Sequence, residues 1–167
     1  MKHLILGGAR SGKSRFAQQL AETQSDTPHL LATAEAGDEE MTARIARHQR
    51  DRSPKWQVKE EPLALAKQLA NIDAPNACIL VDCLSLWLSN CLHQKCWKQE
   101  RNALMELLPG LQGELMLVSN EVGMGVIPMG ELSRTFVDEV GWLHQDLAQH
   151  CDKVTVVIAG LPQTIKG

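Results

Sequence analysis

Residues Gly7-Gly8-Ala9-Arg10-Ser11-Gly12-Lys13-Ser14 satisfy the spacing G-x-x-x-x-G-K-[ST]. Glycine lets the backbone curl until successive N–H groups face one anion. Lys13 supplies a cation against phosphate charge, and the Ser14 hydroxyl can ligate Mg2+. The segment predicts a grip on the phosphates of ATP or GTP, with Lys13 acting in catalysis. The bland alternative is a glycine turn with an exposed lysine. An apolar run before the loop and an apolar-periodic segment after it weigh against that alternative.

Asp82 ends the run Cys78-Ile79-Leu80-Val81. A carboxylate at the end of an apolar strand suits a second magnesium ligand, although the same residue could cap a helix starting near Leu84. His48 stands among Arg44, Arg47, Arg50 and Arg52. An imidazole can attack phosphorus and carry the group as a phosphoramidate, with guanidinium groups stabilising the developing charge. From the residues alone, a solvated basic helix face is the simpler reading. Ser119 to Pro128 exceeds the usual length of a strand-to-helix connection, which points to a substrate loop in which Glu121 is the polar residue of first interest. Cys91, His93 and Cys96 lack a fourth ligand at a recognised spacing, so helix packing is preferred there to zinc.

The elements that must position these groups follow from periodicity. His3 to Leu6, His29 to Ala34, Cys78 to Asp82, Glu114 to Ser119 and Lys153 to Ala159 are continuous apolar runs, as buried parallel strands require. Trp56 to Lys59 adds a short edge strand. Helical spacing appears at Phe16, Ala17, Leu20 and Ala21, and again at Leu63, Ala66, Leu69 and Ala70. Further helices are predicted over Asp38 to Arg50, Leu84 to Leu92, Asn102 to Leu108 and Leu132 to His150, with a stop at Pro109-Gly110. The alternation predicts an α/β fold with a mostly parallel sheet and helices on both faces. Ligands of such sheets sit beyond the carboxyl ends of the strands.

The 167 residues fit one domain spanning 1–167. A net charge of −3 and 4% aromatic residues give neither a basic field nor a stacking platform, so nucleic acid is not an expected partner. No apolar run reaches membrane-spanning length and no secretory signal is legible, so a cytoplasmic location is expected. Five cysteines without paired spacings read as free thiols. Two other function classes fit a phosphate loop: a different small-molecule kinase, which has no use for His48, and a nucleotide-dependent switch that binds a protein partner.

Taken in order, the glycine loop, Asp38-Glu39-Glu40-Met41 through Arg44-Ile45-Ala46-Arg47-His48, Val81-Asp82-Cys83-Leu84 with Trp87-Leu88 and Asn90, and Ser119 to Gly125 are similar to one family. The chain resembles the bifunctional adenosylcobinamide kinase / adenosylcobinamide-phosphate guanylyltransferases of cobalamin biosynthesis over nearly its whole length. The resemblance implies a P-loop NTPase-like, RecA-type sheet. It also implies two reactions: phosphorylation of adenosylcobinamide by ATP or GTP, and transfer of GMP from GTP onto the product through a guanylylated His48. It carries nucleotide binding to Thr33, Ala34, Glu35, Gln49, Arg50, Asp51, Arg52, Glu60 and Asp82, beside Gly7 to Ser14. Mg2+ on Ser14 and Asp82, a corrinoid substrate and a homotrimer are implied too. Arg47 stands where some relatives carry a second histidine, and the connection from Asn90 to Glu114 is short.

Overall fold

The structure, a computed structural model, describes residues 1–34 and 54–167. The apolar runs become the inner strands: β1 (Lys2–Gly7), β2 (His29–Ala32), β4 (Cys78–Asp82), β5 (Glu114–Asn120) and β6 (Lys153–Ile158). The edges are β3 (Gln57–Glu60) and β7 (Leu161–Lys166), whose residues are exposed throughout. The sheet order is β3-β2-β4-β5-β1-β6-β7, and each pairing is parallel except that of β6 with β7.

Several strands differ from the sequence expectation. β2 stops at Ala32, although the Thr33 N–H still donates to the Asp82 carbonyl at 3.2 Å, and β3 is set one residue later than Trp56 to Lys59. β7 was not anticipated: Leu161-Pro162-Gln163-Thr164-Ile165-Lys166 is polar enough to read as a tail, and it is ordered by edge pairing together with Lys166 Nζ donating to the Ala148 and Cys151 carbonyls. A two-residue turn joins it to β6, with Ala159 and Gly160 both at positive φ (52° and 80°), as tight hairpins require.

The helices are α1 (Lys13–Gln24), α2 (Leu65–Ile72), α3 (Leu84–His93), α4 (Trp97–Leu107) and α5 (Glu131–His150). α4 starts five residues before Asn102, since Lys98-Gln99-Glu100-Arg101 shows no apolar period. Its first turn is fixed from outside: Trp97 is buried, donates through Nε1 to Glu139 at 2.7 Å, and meets Trp87 edge-on at 5.2 Å. Leu108–Gly110 forms a short 3-10 turn at the expected stop. The helix expected over Asp38 to Arg50 lies outside the described residues.

Strand pleating divides the core in two. Leu4, Leu6, Val81, Leu115, Leu117 and Val154 face α3, α4 and α5, whereas Ile5, Leu30, Leu80, Met116, Val118 and Val157 face α1. The two layers therefore meet a common carboxyl edge where β1, β5 and β4 end at Gly7, Asn120 and Asp82.

His3 on β1 is 1% exposed; its Nε2 lies 2.8 Å from Thr155 Oγ1, while Nδ1 has no partner. Burial, aided by Lys153, pushes its pKa from 6.5 down to about 4. Between those values the unfolded chain binds the proton and the folded chain does not, so stability falls as the pH is lowered from 6.5 to about 4. Urea unfolding across this range is expected to show a shallower pH slope in His3→Gln than in the parent, by up to about 1.4 kcal/mol per pH unit. Superimposable slopes would contradict the burial account.

Candidate active site

The loop from Gly8 to Gly12 links β1 to α1 and is shaped by two glycines. A Cβ on Gly7 would meet Ser11 Oγ at 2.4 Å and the Val157 carbonyl at 2.7 Å. Gly12 holds φ at 94°, a left-handed conformation that side chains disfavour, and its missing Cβ would lie 3.2 Å from Gly160 Cα. The turn is closed by the Ser11 N–H donating to the Gly8 carbonyl at 3.2 Å. It is buttressed from β6 and β7 by the Gly160 N–H donating to the Ser11 carbonyl at 2.8 Å.

This geometry leaves the amino end of α1 without a cap. Gly12 at the cap position offers no side chain, and no acidic residue occupies the first turn. Uncapped N–H groups and the helix dipole at α1 favour an anion. Lys13 is buried and donates through Nζ to the Gly8 carbonyl at 3.1 Å, folded back over the loop. Burial lowers its pKa, opposed by the charge of Asp82, so the ammonium sits where a polyanion would relieve its desolvation.

Asp82 ends β4 on the face that β4 turns toward α1. Cys83, not Asp82, holds the cap position of α3, and no side chain caps that helix. The helix-cap alternative for Asp82 therefore lapses. A carboxylate and the Ser14 hydroxyl are hard oxygen donors, the kind that suit magnesium when phosphate and water complete its shell. Among the described residues, no three His, Cys, Asp or Glu side chains converge on a possible metal position. Cys91 is buried in the core at α3, and Cys96 stands at the cap of α4.

Thr33 and Ala34 follow β2 on the same edge. The Thr33 hydroxyl donates to the Cys83 carbonyl (2.6 Å) and accepts its N–H (2.9 Å), so its side chain fastens β2 to β4. Asn90 steadies the segment by donating to the Thr33 carbonyl at 2.8 Å. Glu60 is exposed at the end of β3, four strands from β1, roughly 19 Å by strand spacing. The structure thus brings Gly7 to Ser14 together with Asp82, and sets Glu60 apart from them. Glu35, His48, Gln49, Arg50, Asp51 and Arg52 lie outside the described residues.

Comparison with known proteins bears on which phosphate-loop enzyme this edge belongs to. Residues 3–165 match the family described as cobinamide kinase / cobinamide phosphate guanyltransferase. The chain belongs to this family. It is 52% identical over 170 residues to the bifunctional adenosylcobalamin biosynthesis protein CobP of Pseudomonas aeruginosa, covering 100% of this chain and 98% of that protein. Identity to the bifunctional adenosylcobalamin biosynthesis protein CobU of Escherichia coli is 33% over 182 residues, covering 99% and 100%. Among solved structures, an ATPase of the type III secretion system of pathogenic bacteria superimposes with a TM-score of 0.55. That match is 13% identical and covers 98% of this chain and 56% of the ATPase, which shows a shared P-loop ATPase fold.

Two parts of this cobinamide kinase / guanyltransferase edge escaped sequence reasoning. Gly160 supports the phosphate loop from a hairpin whose Ala-Gly turn is a weaker signal than Asn-Gly. His144 reaches Ser119 across 25 positions, a contact that no local pattern announces. Replacing Lys13 with Ala removes the buried ammonium and should weaken triphosphate binding on the order of tenfold to a hundredfold, as losing a hydrogen bond to a charged group does. Isothermal titration with a non-hydrolysable analogue checks this, and parental affinity in the variant would contradict it.

Proposed function

We propose that this chain, as one nucleotide-binding domain, phosphorylates the aminopropanol hydroxyl of adenosylcobinamide with ATP or GTP. It then transfers GMP from GTP to that phosphate, giving adenosylcobinamide-GDP. The observation that carries the reading is the uncapped amino end of α1, with Lys13 and Asp82 beside it, in a chain of this family.

In the kinase step the loop amides and Lys13 hold the β- and γ-phosphates, so most of the acceleration comes from positioning and charge neutralisation. Ser14 and Asp82 would hold Mg2+, which when bound neutralises charge on the transferring group. The second reaction uses His48 as nucleophile: its neutral ring nitrogen bonds the α-phosphorus of GTP, pyrophosphate departs, and the corrinoid phosphate takes the GMP. Thr33, Ala34, Glu35, Gln49 to Arg52 and Glu60 are assigned to the nucleotide on the strength of family position.

After β5 the loop exposes Met124, Val126, Ile127 and Met129, an apolar surface of the kind that receives a large ligand, here the corrinoid. Ile158, Leu161 and Ile165 leave a second apolar surface at the β7 edge, assigned to contacts in a homotrimer. No helix among the described residues is long and apolar enough to cross a membrane, in keeping with work in the cytoplasm on small-molecule substrates.

Incubation with adenosylcobinamide, ATP, GTP and Mg2+ should yield the phosphorylated and GDP-linked corrinoids by mass spectrometry. GTP labelled at the α-phosphate should leave an acid-labile, alkali-stable adduct that His48→Ala abolishes. Absence of both products from the parent protein, or an adduct that persists in the variant, would overturn the corresponding step.

A further inference from the structure

Glu121 follows β5 directly, and its N–H donates to the Gly7 carbonyl at 2.9 Å, beside the first glycine of the phosphate loop. One carboxylate oxygen accepts the Gly123 N–H, and the other lies 3.7 Å from His144 Nδ1 on α5. The His144 side chain is only 8% exposed. Its Nε2 is 2.8 Å from Ser119 Oγ, yet Nδ1 has no hydrogen-bond partner. A buried polar nitrogen without a partner is costly, so its placement requires a reason.

Burial lowers the pKa of His144 against the opposing pull of Glu121, and the ring is neutral with one N–H. If that hydrogen were on Nε2, a lone pair would face an anion. With the Ser119 hydroxyl donating to Nε2, the hydrogen is on Nδ1 and points at the carboxylate. The Ser119 hydroxyl and the His144 ring thus form a line of donors that ends on the Glu121 carboxylate at the phosphate-loop edge. Holding the turn at Gly123 explains one oxygen of Glu121, but not a buried imidazole aimed at the other. Asp82, at the end of the neighbouring strand, faces Lys13 instead.

We propose that Glu121 is the base that takes the proton of the acceptor hydroxyl during phosphoryl transfer, and that His144 is its positioning residue. This rests on the kinase reading above. The hydroxyl oxygen bonds the γ-phosphorus and the β–γ bridging bond breaks. Its electron pair leaves on the nucleoside diphosphate, and the hydroxyl proton passes to a Glu121 oxygen and then to solvent. Positioning by His144 is a matter of which nitrogen carries the donor.

Glu121→Gln should lower kinase kcat by about a hundredfold to ten-thousandfold, the range of a general base, with the KM for ATP nearly unchanged. Added formate should restore part of the rate in Glu121→Ala. His144→Asn places an amide where Nδ1 sits and should retain more kinase activity than His144→Gln, whose amide reaches only toward Ser119. A Glu121→Gln kinase kcat within threefold of the parent overturns the proposal. So does equal loss of ATP binding and of labelled GMP adduct, which marks a structural role, and so does a reversed order of the two His144 variants. A parent protein that makes no phosphorylated corrinoid defeats the underlying kinase reading instead.

Discussion

An uncapped helix end with a buried ammonium folded over it is the constraint around which this protein is arranged. The first turn of α1 has donors and no acceptor of its own, because Gly12 provides no side chain and no acidic residue follows it. Lys13 adds a desolvated positive charge at the same place. In isolation these features are unfavourable, and they become favourable together once a polyphosphate fills the space. The fold keeps them in place: Gly7 lets Ser11 tuck against β1, and Gly160 clamps the loop from the neighbouring hairpin.

The sheet order turns that local feature into an active edge. With β5 between β1 and β4, the glycine loop, Glu121 and Asp82 stand at adjacent strand ends. Pleating separates their surroundings, since Asp82 lies toward α1, while Ser119 engages His144 on α5. One carboxylate facing Lys13 and another backed by histidine thus stand in different surroundings a short distance apart. Glu60 and Thr33 extend the same edge toward β3.

What was legible in the sequence was whatever is encoded locally. The phosphate loop could be read because each of its tasks falls to neighbouring residues, and Asp82 because it closes an apolar run. The inner strands were legible from burial on both faces. β7 was not, since an edge strand needs only half the ladder and shows no apolar run. The first turn of α4 was hidden because the Trp97 contacts with Glu139 and Trp87 order it rather than any period of its own. His144 was likewise hidden, because its role depends on packing α5 against β5. The reading of His48 as nucleophile came from family resemblance, since the residue types alone favour a solvated basic face.

The most direct measurement of the central claim is a crystal structure of the protein with a non-hydrolysable nucleoside triphosphate and magnesium. The account predicts the β- and γ-phosphates within hydrogen-bonding distance of the Gly8 to Ser14 amides and of Lys13 Nζ. A well-ordered triphosphate bound elsewhere, with that loop free of ligand, would contradict it.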